Sequence, residues 1–171
     1  MKTITEILKE GLEKETFIGG TEMDRATSYW DSSPAKAIAL LRPKTTAEVS
    51  AALRLCYDNN QPVVAQGGMT NCVRSADSRD DEVIMSLERM NSIESIDVLG
   101  STAIVGAGVV LQTLQEACLE KDMLFPLDLG ARGSCTVGGN AATNAGGINV
   151  LRFGMMRNLV LGMEVVLADG T

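Results

Sequence analysis

Ala37-Ile38-Ala39-Leu40-Leu41-Arg42-Pro43, then Thr45-Thr46-Ala47-Glu48-Val49-Ser50-Ala51-Ala52-Leu53-Arg54-Leu55-Cys56-Tyr57, then Pro62-Val63-Val64-Ala65, is the stretch that decides the fold class. The first run is short and apolar and is ended by Arg42-Pro43, which reads as a buried strand. Thr45 with Glu48 is a capping-box signature, and Val49, Ala52, Leu53, Cys56 and Tyr57 recur at helical spacing. Asn59-Asn60 and Pro62 stop that helix, and Pro62 to Ala65 starts a second buried strand. Strand, helix, strand in this order predicts a βαβ unit with a parallel pair.

Upstream, Thr3 with Glu6 offers another capping box, and Ile4, Ile7, Leu8, Gly11 and Leu12 share a helical face. Downstream, Glu82 to Leu87, Ser92 to Val98 and Thr102 to Gly106 are three short runs rich in isoleucine and valine, predicted as strands of a second small sheet. Leu111 to Lys121 follows as a helix with Leu111, Leu114, Gln115, Cys118 and Leu119 inward. Leu159 to Leu167 is a final apolar run, expected as a strand, and ends in Asp169-Gly170. Asp-Gly after a strand is a strong hairpin signal, so the expectation is a hairpin interrupted at Thr171. The fold class is therefore α+β: a βαβ-containing lobe and a second mixed sheet flanked by helices.

The chain has 171 residues, 15 Lys+Arg against 22 Asp+Glu, and a net charge of −7. An acidic chain is a poor electrostatic partner for nucleic acid or an anionic membrane. It contains no histidine, which removes the commonest general base and metal ligand and every Ser-His or Cys-His arrangement. Cys56, Cys72, Cys118 and Cys135 are far apart with no Cys-x-x-Cys pair, so free thiols are expected and a structural zinc site is not. No apolar run approaches a membrane span, and the first residues lack a signal-peptide apolar region. The expected location is the cytoplasm.

Two glycine-rich segments carry the chemistry. Gln66-Gly67-Gly68-Met69-Thr70-Asn71 directly follows a strand. Successive small residues with positive φ can aim several N–H groups into one phosphate-binding concavity; an ordinary strand-to-strand turn would use the same residues equally well. The longer segment, Phe125 to Gly147, has no convincing period. Between Pro126 and Gly147 its residues are mostly small or able to hydrogen-bond, so backbone can approach a flat ligand closely while Ser134, Thr136, Asn140, Thr143 and Asn144 satisfy polar edges. Together the two loops favour a long ligand with a diphosphate and a planar ring. Gly106-Ala107-Gly108-Val109-Val110-Leu111 imitates a dinucleotide fingerprint, but Leu111 stands where glycine or alanine is wanted and no βαβ unit surrounds it, so it reads as a tight turn.

These residues resemble the FAD-binding (PCMH-type) domain of the vanillyl-alcohol-oxidase/p-cresol-methylhydroxylase flavoprotein superfamily, most closely its FAD-linked D-2-hydroxyacid dehydrogenase branch. The resemblance runs from about Ala39 to Thr171, through Leu41-Arg42-Pro43-Lys44-Thr45-Thr46, Gln66-Gly67-Gly68 and Leu87-Glu88-Arg89-Met90-Asn91. It is densest from Pro126 to Gly147 and in Gly162 to Thr171. It implies two small subdomains clasping non-covalent FAD, with 1–36 as a helix and lead-in segment. Residues 37–171 would be the FAD-binding domain, truncated at its C-terminal end. Gln66, Gly67, Gly68, Met69, Thr70 and Asn71 would wrap the pyrophosphate. Pro126, Asp128, Gly133, Ser134, Gly138, Gly139, Asn140, Thr143, Asn144, Gly146 and Gly147 would line the flavin, with Val165 near the isoalloxazine or adenine end. Arg132 and Arg152 are candidate counter-charges. Arg74 departs from the family, which carries a small residue there.

The resemblance further implies oxidation of a D-2-hydroxyacid of the D-2-hydroxyglutarate, D-lactate or glycolate type, with an external electron acceptor. Substrate-binding and catalytic groups, including a histidine-rich metal site, would come from a following cap domain. No catalytic residue and no metal ligand is therefore assigned in this chain, which alone is expected to be inactive. Surface left bare by the cap would favour homo-oligomers. The rival reading is a nucleotide-binding or scaffolding module without redox activity. Valine at Gly138 or Gly139 is expected to block FAD and leave the fold largely intact.

Overall fold

The computed structural model describes residues 2–19, 30–31 and 33–171. It has α+β architecture in two units, Met1–Arg89 with Glu164–Thr171, and Met90–Met163.

In the first unit, α1 (Ile4–Gly11) opens with the predicted capping box: Thr3 Oγ1 accepts from Glu6 N, and Thr3 N donates to the Glu6 carboxylate. Strands β1 (Phe17–Gly19), β2 (Ala39–Leu41), β3 (Val63–Gln66) and β4 (Val83–Ser86) form one sheet in the order β1-β2-β4-β3. β1 is antiparallel to β2, while β2 and β3 each run parallel to β4. The expected βαβ unit is present, with α2 (Thr46–Asp58) as its connection, but its two strands are not neighbours. β4 lies between them. All of β2 and β4 is buried, as for central strands covered on both faces, where apolar runs replace alternation. Leu40 pairs in register with Ile84, and both pack with Ala35, Ile18 and Ala37.

Thr45 caps α2 through Glu48 N as expected, but the Glu48 carboxylate reaches Lys44 N (2.9 Å) and the Thr16 hydroxyl (2.8 Å). These donors hold its carboxyl below the ordinary glutamate value, the Lys44 N–H first, against a burial effect in the other direction. α2 ends where Asn59 Nδ2 donates to Leu55 O and Asn60 turns left-handed (φ 52).

In the second unit, β5 (Ile93–Asp97) and β6 (Thr102–Val105) form an antiparallel hairpin. The expected three-stranded second sheet is thus reduced to two strands, because Val83–Ser86 pairs in the first sheet. Helix α3 (Leu111–Leu119) buries Leu111, Leu114 and Cys118; Leu119 is exposed, against expectation, and Gln115 Nε2 donates to Leu127 O (2.7 Å). Val109, Leu114 and Cys118 pack with Ile93, Ile96 and Val105, while Leu111, Leu127, Cys135 and Met156 form a neighbouring cluster. Short helices α4 (Val137–Ala142) and α5 (Val150–Phe153) lie in the region read as loop and just after it.

Residues 159–167 form no strand: Leu161, Met163, Val165 and Leu167 are exposed. Asp169-Gly170 makes the turn its sequence predicts, with Gly170 N donating to Leu167 O (2.9 Å) and φ +85 at Gly170. Within the first unit, Thr46 Oγ1 donates to Glu164 and Ser50 Oγ to Gly170 O, tying this segment to α2.

Candidate FAD-binding site

The first loop starts at the end of β3, where Gln66 is 2% exposed. Its Nε2 donates to Ala76 O (2.9 Å), joining the beginning of the loop to its end, while its Oε1 has no partner. Between them, the backbone N–H groups of Gly67, Gly68, Met69 and Thr70 have no hydrogen-bond partner among the described residues. Positive φ was expected at the glycines; it falls on Met69 (φ 58) and Arg74 (φ 58) instead. Asn71 sets the following turn, its Oδ1 accepting from Val73 N and Ser75 N, each at 3.2 Å. Arg74 Nη2 donates to Asp31 Oδ2 (3.2 Å) and its Nε lies 3.4 Å from Asp77 Oδ2. Side chains thus hold the shape of the loop and leave its N–H dipoles unspent. An anion-accepting nest requires this, whereas an ordinary turn does not.

The second loop is built the other way. Arg132 N donates to Leu129 O, Cys135 N to Ala131 O, Ala145 N to Asn140 O and Ile148 N to Asp128 O, all within 3.0 Å. At α4, Val137 N donates to Val109 O, Gly138 N to Ala107 O and Gly139 N to the Thr136 cap, so its first amides are occupied. The predicted polar residues largely serve the loop. Thr143 Oγ1 donates to Gly139 O, Asn144 Oδ1 accepts from Arg157 N, Asp128 pairs with Arg132, and buried Asn140 lies with its Nδ2 3.6 Å from Cys135 Sγ. Pro126 O accepts from Asn149 Nδ2 (3.0 Å). Asn149 lies outside the sequence expectation, because an isolated amide carries no periodic signal; Gln115, expected on the inner face of α3, turns its amide onto this loop at Leu127 O. Gly133, Ser134 and Gly146 are exposed, and Val165 is exposed in the other unit.

Two glycines of this loop are fixed by close backbone approach. A Cβ on Gly147 would fall on the Asp128 carbonyl, well inside contact distance, and one on Gly138 would meet Ala107 Cβ at 2.7 Å and Ala107 O at 2.9 Å. The Gly138→Val expectation is corrected accordingly, since this change strikes backbone before it reaches any ligand. At Gly139 a Cβ meets only Thr136 Oγ1, at 3.2 Å. The Gly106-Ala107-Gly108 segment is a turn closed by Val109 N on Gly106 O (3.1 Å), and Ala107 O serves α4.

Of the counter-charges, Arg132 is paired with Asp128 and Arg152 lies over the Phe153 ring, 5.0 Å from its centroid. Among the described residues the cysteines are free, as expected; Cys135 is buried and Cys72 is exposed. Burial pushes the Cys56 thiol up to about 11 and raises Cys118 and Cys135, the last partly offset by Asn140.

Known proteins resemble this chain in sequence and fold. The family described as FAD binding domain matches residues 37–171. The chain belongs to that family, and FAD is its cofactor. The rat (Rattus norvegicus) mitochondrial D-2-hydroxyglutarate dehydrogenase is 51% identical over 132 residues, 77% of this chain and 25% of the relative. The bovine (Bos taurus) enzyme of the same name is 49% identical over 132 residues, 77% of this chain and 24% of its own length. Among solved structures, Phl p 4, a grass pollen allergen with glucose dehydrogenase activity, superposes with a TM-score of 0.84 at 18% identity over 99% of this chain and 37% of that one. This shared fold is that of the PCMH-type FAD-binding flavoproteins. The chain spans about a quarter of the length of the curated relatives it matches.

The cytoplasmic expectation is corrected. Both relatives are named mitochondrial, which points to mitochondria instead. The expectation rested on the lack of an apolar leader, which bears on secretion; organelle-import leaders are amphipathic. Among the described residues no helix is long and apolar enough to cross a membrane.

Proposed function

We propose that this chain is the FAD-binding portion of a flavin-dependent D-2-hydroxyacid dehydrogenase, with D-2-hydroxyglutarate as the first substrate to test. The observation that carries the reading is identity near one half to D-2-hydroxyglutarate dehydrogenases across 132 residues. FAD fits the residues present: the bare N–H groups of Gly67 to Thr70 suit a diphosphate, and the buried Gln66 Oε1 supplies an acceptor without a partner. When bound, FAD supplies acceptance of a hydride at flavin N5 from the substrate α-carbon, with the electrons passing to an external acceptor.

In this reading Gln66 to Asn71 hold the diphosphate by backbone dipoles, which suits a chain of net charge −7. Pro126, Asp128, Gly133, Ser134, Gly138, Gly139, Asn140, Thr143, Asn144, Gly146 and Gly147 form or support the surface against the flavin, and Val165 contacts one end of the cofactor. Residues 37–171 act as the binding domain and 1–36 as its lead-in. Attachment is read as non-covalent as far as residues 1–171 go: they hold no histidine, and Cys135 is buried with its thiol pushed up, which leaves the exposed Cys72, beside the first loop, as the one cysteine for the test below to check.

The test is the visible spectrum of the purified protein before and after FAD addition and desalting, followed by acid precipitation. Retained flavin absorbance that moves wholly to the acid supernatant supports non-covalent binding. A protein that stays colourless overturns the site assignment, and flavin in the pellet overturns non-covalent attachment. Reduction of the bound flavin by D-2-hydroxyglutarate, and not by L-2-hydroxyglutarate, in the full-length protein supports the substrate class.

A further inference from the structure

Arg74 is an anomaly twice over. It adopts a left-handed backbone conformation (φ 58) that favours glycine, and it places its guanidinium between two carboxylates, Asp31 and Asp77. Asp31 is itself fixed, since its Oδ1 accepts from Ser33 N at 2.9 Å. Asp77 N in turn donates to Arg74 O (3.2 Å). A long charged side chain stands here at a left-handed position despite the backbone cost, and its guanidinium reaches back to residue 31. With both neighbours acidic, its charge is already matched inside the protein and is not offered to a ligand.

We propose that Arg74 is a positioning residue for FAD: its bridge from Asp31 to Asp77 closes the loop that begins at Gln66 and so fixes the direction of the Gly67 to Thr70 N–H groups. This rests on the assignment of that loop to FAD made above. Asn71 and Gln66 set the local turns, and Arg74 ties the whole loop to a distant segment of its own unit. The bridge is exposed, so dissolved salt screens it.

The experiment compares wild type with R74G, R74K, D31N and D77N by FAD titration at low and high NaCl, alongside thermal melting. Glycine accepts φ 58 freely, so R74G removes the bridge while easing the backbone. The expected result is FAD affinity about two- to fivefold weaker in R74G, the size of effect that follows loss of an exposed ion pair. Its melting temperature should be unchanged or higher, and its affinity should respond less to salt than that of wild type. R74K should recover part of the affinity, and D31N combined with R74G should be no weaker than R74G alone. If R74G binds FAD like wild type with the same salt response, or if affinity and melting temperature fall together, the positioning role is overturned. If wild type itself fails to bind FAD, the loop assignment falls, and this inference with it.

Discussion

The two glycine loops look alike in composition and are held in opposite ways. In the second, amides are spent on carbonyls and two glycines let backbone touch backbone. In the first, side chains of Gln66, Asn71 and Arg74 do the holding, and four consecutive N–H groups are left over. Glycine richness therefore marks two different physical needs: close packing of a chain on itself, and dipoles left free for an anion.

Substitution can break or sharpen this contrast. The largest effect is expected at Gly147→Ala and Gly138→Val, where the added carbon meets main chain; each should destabilise the second unit by about 3 kcal/mol in chemical denaturation. A wild-type transition in both would dissolve the contrast. Gly139→Val, facing only a hydroxyl, should retain the far-ultraviolet spectrum but lose flavin absorbance. In the first loop, Asn71→Ala removes the acceptor for two amides and should cost about 1 kcal/mol, read mainly as weaker FAD binding.

A pH effect belongs to the scaffold around the first loop. The Glu48 carboxyl is depressed in the fold, so its contribution is complete above the ordinary glutamate value and is lost as pH falls through the lower folded value. E48Q should lower stability near neutrality, where that contribution is complete, and converge on wild type below the acid window, so that its profile across the window is flatter. The smallest effect concerns thiols: in native protein at pH 8, a thiol reagent should titrate Cys72 promptly and leave Cys56, raised to about 11 by burial, untouched. C72S should abolish the fast phase.

The parts of the fold legible in sequence are those set by neighbouring residues. Thr3 with Glu6 and Thr45 with Glu48 N announce helix starts, and Asn59-Asn60-Gln61-Pro62 announces a stop. Pairing partners are chosen elsewhere: Val83–Ser86 reads as a strand, yet nothing local says that its neighbours are β2 and β3 and not the hairpin that follows. α4 escapes notice because six residues with two glycines carry no helical period. Residues 159–167 mislead in the other direction, being mostly apolar yet joined to no ladder. For the site, the two loops were evident from glycine content. The division of labour was not, because Gly138 and Gly147 differ from Gly139 only in what stands opposite them.

The position of β4 has a consequence for synthesis. β4, inside the first sheet, is the last of its four strands to leave the ribosome, so β3 emerges with no partner and β2, paired with β1 on one side, keeps its other edge open until residue 86 is made. During that interval the nascent chain carries two open, apolar strand edges, and whatever shields them from other chains governs the yield of folded protein more than the final stability does.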